Sequence, residues 1–318
     1  MAALRRRSER PDPVSDLGPV DPGHGADLEW LHHWRLRAEG DVQTTASSTL
    51  IPVRTADGVA AMLKIARVDE EERGGELLER LAGRGVARVL RREGSAVLLE
   101  RATGPNDLVR LVLAGHDDEA TRVLCDAAAR LHLEVAELDP PGDRNALVVD
   151  TGTTGRTESG DPLLAPLTDW FRELFTHADG LDPLHRRGAE LARELLDAPR
   201  DERVLHGDLH HGNVLDFGER GWLAIDPKGL VGETGFDYCN LLCNPSHERA
   251  LAPGRLERQF GVVLDATAGA GAPLEPDRFA RWLVAWCALS STWFALDDDP
   301  VHADGVARIG ERALGLLG

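Results

Sequence analysis

Between residues 26 and 102 the apolar positions come in short runs of strand length. Beyond residue 103 they recur every three or four positions, the spacing of helices. In the first region Trp34–Ala38, Leu50–Arg54, Val59–Ala66, Val86–Leu90 and Ala96–Glu100 are predicted as strands. Asp57-Gly58 is a D-G turn between the second and third of them. Residues 69–82 set Leu77, Leu78 and Leu81 on one face behind an acidic first turn, which predicts a helix. Thr103-Gly104-Pro105-Asn106 interrupts the pattern and reads as a hinge. In the second region Asp117–Leu133 carries apolar residues at 120, 123, 124, 127, 128 and 131. Further helical patterns cover 167–178, 184–197, Phe236–Asn244, Pro253–Ala266, Asp277–Leu296 and 303–317. Residues 1–25 are rich in Arg, Pro, Asp and Gly and read as a disordered tail. The polar, Gly/Thr-rich stretch 140–165 reads as a long loop. The expected architecture is α+β, with a β-rich unit over 26–102 carrying one helix and a mainly helical unit over 103–318.

Composition narrows the function classes. With 42 % apolar and 28 % charged residues, the chain has the profile of a soluble globular protein. Its net charge of −18 argues against nucleic-acid binding, which needs a basic surface; it could steer a cationic small molecule, though keeping the protein soluble is its plainer reading. Asp297-Asp298-Asp299, after an apolar helix, is a candidate cation-binding run. Solvated helix-end charge is its plainer reading. Phe279–Leu296 is apolar enough to raise a membrane span, but Arg281, Ser290, Ser291 and Thr292 interrupt it, which predicts a buried helix. Cys125, Cys239, Cys243 and Cys287 fit no zinc or redox spacing and are expected as buried free thiols. No apolar segment of signal-peptide type follows the start Met, so a cytoplasmic protein is expected.

The chemistry concentrates between Leu205 and Pro227, L-H-G-D-L-H-H-G-N-V-L-D-F-G-E-R-G-W-L-A-I-D-P. Asp208 and Asn213 have the D-x-x-x-x-N spacing of a phosphoryl-transfer loop, and Asp226 closes the strand that returns from a turn at Phe217–Gly221. Asp208 is suited to orient a hydroxyl and accept its proton late; Asn213 and Asp226 offer hard oxygens to magnesium. Of the 36 Lys and Arg residues only two are Lys, Lys64 and Lys228. Lys64 lies in the apolar run A-A-M-L-K-I-A, where a charge has no packing reason to be. It is the candidate for the α- and β-phosphates of ATP or GTP, with Glu76 as its expected carboxylate partner and Glu72 and Glu79 as rivals. The small residues of Thr44–Thr49, Ser47 and Ser48 among them, read either as a phosphate-capping loop or as an ordinary polar turn. Glu100 and Ala102 are placed to meet an adenine with backbone groups at the hinge. His206 is expected to pack under the loop, and Asp237 to accept its backbone N–H groups. A zinc or iron site built on His206, His210 and His211 is the competing reading, and it leaves Asn213, Asp226 and Lys64 without a role.

The run V-L-H-G-D-L-H-H-G-N-V-L, followed by G-W-L-A-I-D-P-K-G-L-V-G-E and F-D-Y-C-N-L-L-C-N-P, resembles the aminoglycoside phosphotransferases. Within them it resembles the aminoglycoside and hydroxyurea resistance kinases, and looks closest to the streptomycin 6-kinases. The block covers Val204–Pro245, and agreement is looser across residues 30–296. The resemblance implies a bilobal protein-kinase-like fold with a nucleotide in the cleft. It also implies transfer of the γ-phosphate to a drug hydroxyl, with Asp208 as catalytic residue, Asn213 and Asp226 as metal ligands and Lys64 on the nucleotide. Pro227-Lys228 stands where protein kinases have Phe-Gly. The leading expectation is a magnesium-dependent kinase, monomeric or homodimeric, acting on streptomycin or a related cationic aminocyclitol. A kinase of hydroxyurea, an amino sugar or another metabolite is the alternative in the same class. A nucleotide-binding module without catalysis is the alternative from another.

Overall fold

The computed structural model describes residues 25–133, 135–138 and 163–318. The expected tail, Gly25 apart, and the expected 140–165 loop up to residue 162 lie outside the described residues. The elements are α1 Gly25–His33, β1 Arg37–Ala38, β2 Gln43–Thr44, β3 Ser48–Arg54, β4 Ala60–Ala66, α2 Asp69–Leu81, β5 Val89–Glu93 and β6 Ala96–Glu100. Then come α3 Leu108–Leu113, α4 Asp117–Leu131, β7 Ala165–Pro166, α5 Leu167–Trp170, α6 Arg172–His177 and α7 Pro183–Asp197. The chain continues through β8 Glu202–Leu205, β9 Val214–Asp216, β10 Trp222–Ala224 and β11 Leu230–Glu233. It ends in α8 Asp237–Leu242, α9 His247–Ala250, α10 Arg255–Gly269, α11 Pro276–Leu296 and α12 Pro300–Ala313.

The first six strands form one antiparallel sheet in the order β1-β3-β4-β6-β5, with β2 also on β3. Alternating burial along β3 points Ile51 and Val53 inward, where they join Trp34, Ala61, Leu63, Ile65 and Leu98 in a small core of their own. Helix α2 crosses the other face. Four acidic residues in its first turn and Arg80 in its last complement the helix dipole, and Leu77, Leu78 and Leu81 seal it to the main core. That main core continues through α4, α7 and α8 to α11, the longest helix.

Two of the polar interruptions of α11, Ser291 and Thr292, are accounted for by hydrogen bonds. Thr292 Oγ1 donates to Ala288 O at 2.8 Å and Ser291 Oγ to Ala303 O at 2.9 Å, so both hydroxyls sit in the interior without an orphaned group. No described helix is long and apolar enough to cross a membrane. All four cysteines are free and buried.

Two expected strands shift. Trp34 does not open a strand but ends α1, its N–H on Trp30 O at 3.0 Å, because Trp30 and Trp34 stack edge to face one helical turn apart. Only Arg37–Ala38 pairs, against β3. The run Val86–Leu90 starts its sheet pairing at Val89. Its first residues leave the sheet for the other lobe: Ala87 N donates to Ala224 O at 2.9 Å, and Ala224 N to Gly85 O at 3.0 Å. The expected helix at 167–178 is two short helices, and α3 lies in a stretch without an expected element, capped by Asp107.

Candidate functional site

Strand β8 delivers the chain into the loop His206–Asn213 at the seam between the two lobes. Three buried contacts set its shape. Asp237, at the start of α8, accepts the N–H of His206 and of Gly207, each at 2.7 Å, and Nε2 of His132 at 2.9 Å. His206 packs beneath the loop: its Nε2 faces Ile225 O at 2.8 Å and its Nδ1 accepts the N–H of Asp208 at 3.2 Å. A carbonyl can only accept, so the proton is on Nε2. Burial agrees, depressing the His206 pKa and keeping the ring neutral. Both expected structural roles, for His206 and Asp237, match this geometry. His132 and its 2.9 Å bond to Asp237 were not anticipated.

The loop presents Asp208. One of its carboxylate oxygens accepts from Asn240 Nδ2 at 2.7 Å and the other from Asn213 Nδ2 at 3.3 Å, while Asn213 Nδ2 also donates to Asp208 O at 2.9 Å. Asn213 thus turns its amide nitrogen to Asp208, and its carbonyl oxygen makes no hydrogen bond among the described residues. Asn240 comes from α8, and no spacing rule links it to the loop.

The hairpin β9–β10 follows Asn213 and ends at Asp226, whose φ of +61° turns the chain sharply at the strand end. Here both lysines of the protein meet. Lys64 Nζ, arriving from β4, donates to Glu71 and to Asp226. Lys228 Nζ donates to the second oxygen of Glu71 at 2.8 Å and lies 3.4 Å from the second oxygen of Asp226. The four side chains close a ring of alternating charge across the cleft. Burial alone would raise the Asp226 pKa, but the charges of Lys228 and Lys64 overcome it and hold the carboxyl far below its usual range. Burial likewise opposes the charge on the two lysines, and Asp226 and Glu71 reverse that and raise both.

The partner of Lys64 is therefore Glu71, not Glu76, Glu72 or Glu79. At about 100° per residue, Glu76 lies roughly 140° around the helix from Glu71. It bonds Arg80 at 2.9 Å on the same helix, and Glu79 bonds Arg92 at 2.8 Å. The face of α2 that meets the site was legible all the same. Gly74 marks the close approach, since a Cβ there would stand 2.3 Å from Pro227 O, and Glu71 lies one turn earlier on that face.

Beside the ring, Ala87, Phe217 and Leu223, with Ala102, Leu215 and Ile225 against them, build an apolar wall at the lobe junction. The hinge is anchored to it. Asp216 of β9 accepts from the N–H and the side chain of Asn106 at 3.2 and 2.7 Å, and Gly104 N donates to Asp216 O at 2.9 Å. Gly104 lies so close to the Asp216 carboxylate that no side chain fits there. Ala102 joins this wall, and the Glu100 carboxylate takes the Arg88 N–H at 2.6 Å and the Arg220 guanidinium. Ser48 is buried and its hydroxyl faces Thr45 at 3.3 Å, inside the turn that joins β2 and β3; Ser47 is half-buried in the same turn. Asp297, Asp298 and Asp299 end α11. Asp299 caps α12 through the His302 N–H at 3.1 Å, and Asp298 lines a groove between α7, α11 and α12 to which the His206–Asn213 loop contributes nothing.

The donor set at the foot of the hairpin fits magnesium: a carboxylate already stabilised by two cations and an amide oxygen, both hard ligands. The imidazole alternative loses ground, because both His206 nitrogens are engaged. No group of three or more His, Cys, Asp or Glu side chains able to hold a metal occurs among the described residues.

Known proteins resemble this chain over most of its length. The family model described as aminoglycoside/hydroxyurea antibiotic resistance kinase matches residues 33–143 and 139–298. A streptomycin 3''-kinase from Klebsiella pneumoniae is 45% identical over 272 residues, 84% of this chain and 91% of that protein. A streptomycin 6-kinase from Streptomyces griseus is 34% identical over 271 residues, 83% and 80%. The likeness expected toward 6-kinases is thus weaker than that toward a 3''-kinase. Among solved structures, the aminoglycoside phosphotransferase APH(4)-Ia in a ternary complex with ADP and hygromycin B superposes with a TM-score of 0.56. It has 14% identity and covers 91% of this chain and 99% of that one. The fold is the bilobal protein-kinase-like one.

Proposed function

The chain belongs to the aminoglycoside/hydroxyurea antibiotic resistance kinases, and on that premise we propose that it transfers the γ-phosphate of ATP to a hydroxyl of streptomycin or a close aminoglycoside. The observation that carries the reading is the convergence of Asp208, Asn213 and Asp226 on one loop-and-hairpin unit, with Lys64 bridging Asp226 to Glu71. Asp208, held by Asn213 and Asn240, orients the acceptor hydroxyl. As the acceptor oxygen bonds to the γ-phosphorus, the bond to the bridging oxygen breaks, ADP departs, and the hydroxyl proton passes to the Asp208 carboxylate. Asn213 and Asp226 would hold magnesium, which when bound neutralises charge on the phosphates. Lys64 grips the α- and β-phosphates, and the wall of Leu215, Ile225 and Ala102 faces the adenine.

The net charge of −18 favours a cationic acceptor. The 3'' hydroxyl, named in the 45%-identical relative, is the preferred position, and the 6 position the second. Four buried free thiols suit a reducing, cytoplasmic setting. The test is incubation with magnesium–ATP and a panel of streptomycin, a 2-deoxystreptamine aminoglycoside, hydroxyurea and glucosamine, read by mass spectrometry for an added phosphate and by fragmentation for its position. Phosphorylated streptomycin, lost in Asp208→Asn by about 10²–10⁴-fold, is the expected result. Turnover of hydroxyurea or glucosamine in preference would reassign the acceptor, and unchanged turnover in Asp208→Asn would remove that residue from the mechanism.

A further inference from the structure

We propose that Lys228 is a second phosphate-binding lysine, engaging the phosphoryl group that is transferred, while Lys64 serves the phosphates that remain with the nucleoside. The inference rests on the kinase reading above and assigns a role to a residue that reading leaves idle.

The root of Lys228 belongs to the Asp208 loop. Its N–H donates to His206 O at 2.7 Å, and its Cβ packs over Gly207, 3.1 Å from where a Cβ on that glycine would stand. Its tip ends between Glu71 and Asp226. Lys64 reaches the same two carboxylates from the opposite lobe. The two ammonium groups therefore flank Asp226, one from the sheet and one from the loop carrying Asp208.

Charge balance then asks for an anion. The ring of two lysines and two carboxylates is neutral as it stands. A divalent cation on Asp226 would add two positive charges and leave Glu71 as the carboxylate shared by both ammonium groups. Each lysine has three N–H donors, and each side chain is nearly buried, 11% exposed for Lys64 and 13% for Lys228. Donors so placed need acceptors, and burial without them is costly. A polyphosphate supplies both the charge and the oxygens. Because Lys228 is rooted on His206 and Gly207, the two residues that precede Asp208, its share is the phosphoryl group next to the acceptor. The rest of the basic inventory is Arg, whose broad planar head is a poor substitute for a point charge in so narrow a place.

The experiment measures binding of magnesium–ADP by calorimetry, with and without beryllium fluoride, which stands in for the γ-phosphoryl group. Wild type, Lys228→Met, Lys228→Gln and Lys64→Met are compared. The Lys228 variants are expected to bind magnesium–ADP within about 3-fold of wild type, a margin below tenfold in affinity energy. They should lose about 10- to 100-fold of the affinity that fluoride adds, the range of one charge-assisted hydrogen bond. Lys64→Met should lose affinity for ADP itself. A fluoride gain preserved in both Lys228 variants would overturn the proposal, and so would a loss of ADP affinity in both equal to that of Lys64→Met. Wild-type protein that binds no magnesium–ADP would instead remove the kinase reading, and this assignment with it.

Discussion

Replacing Asp237 by Ala tests how the Asp208 loop is held. The carboxylate is 1% exposed and accepts three hydrogen bonds, from the backbone of His206 and Gly207 at 2.7 Å and from His132 at 2.9 Å. Truncation leaves three donors in the interior without their acceptor. Each orphaned group costs about 1–3 kcal/mol, and water entering the space left by the side chain satisfies part of the loss. A total of about 3–5 kcal/mol follows, a large share of the ~5–15 kcal/mol by which domains are stable. Asp237→Asn keeps one carbonyl oxygen but loses the charge, so it belongs between wild type and Ala.

The pH dependence gives a second handle on the same residue. Burial alone would raise the Asp237 pKa. The His132 hydrogen bond, the nearby histidines and the Gly207 N–H outweigh it and lower the pKa. A depressed carboxylate contributes stability that is fully present above its unfolded pKa of about 3.9 and is lost as pH falls through the lower folded value. The difference between wild type and Asp237→Asn should therefore be constant above about pH 5 and shrink below pH 4. Urea unfolding at a series of pH values measures both effects. A loss under about 1 kcal/mol in Asp237→Ala, or a difference that grows toward acid, would refute the reasoning.

Further outcomes follow from neighbouring features. Glu71→Gln removes the anion shared by two lysines and should raise KM for ATP sharply. Glu76→Gln changes only a pair with Arg80 on the same helix and should leave KM alone, so equal effects in steady-state kinetics would erase the distinction. Gly74→Ala ought to improve helix propensity by ~1 kcal/mol, yet its Cβ meets Pro227 O at 2.3 Å; net destabilisation of about 1–3 kcal/mol and weaker turnover are expected, and a higher melting temperature would show that α2 yields. Arg255→Ala strands the buried Asp117, which it binds at 2.6 and 2.9 Å, and should cost about 3–5 kcal/mol in denaturant unfolding, with much of that recovered by adding Asp117→Ala.

The parts of the site that one stretch of chain builds were legible in its spacing. Asp208 and Asn213 meet on one loop, and Asp226 follows Ile225, whose N–H binds Asn213 O at the other foot of the hairpin. Glu71 was missed because the choice among the acidic residues of α2 depends on which face the helix turns to the Pro227 turn. Gly74 carried that information, and charge counting ignores glycine. Asn240 and His132 were missed because they come from α8 and the end of α4 and meet the loop only after the core has packed. The strand expected at Val86–Leu90 began three residues late because its first residues pair with β10 in the other lobe, a long-range contact that overrides local preference. Asp297–Asp299 looked like a binding run through charge alone, yet Asp299 serves as a helix cap.

The β9–β10 hairpin, finally, is gripped on both margins by the smaller lobe. The hinge bonds to Asp216 on one side, and Gly85 and Ala87 bond to Ala224 on the other. A border drawn by composition at residue 103 assigns this hairpin to the helical body, and Arg130 on Trp222 O and His206 Nε2 on Ile225 O tie it there, yet the smaller lobe holds it as well. Asn213 and Asp226 sit at its two feet, where Ile225 N still binds Asn213 O at 2.9 Å. Any hinge bending must therefore strain one of the two sets of bonds that hold the hairpin. The cation-holding pair is thus clasped from both lobes at once, and opening the cleft disturbs its own footing rather than carrying it away from Asp208, to which Asn213 Nδ2 is bonded.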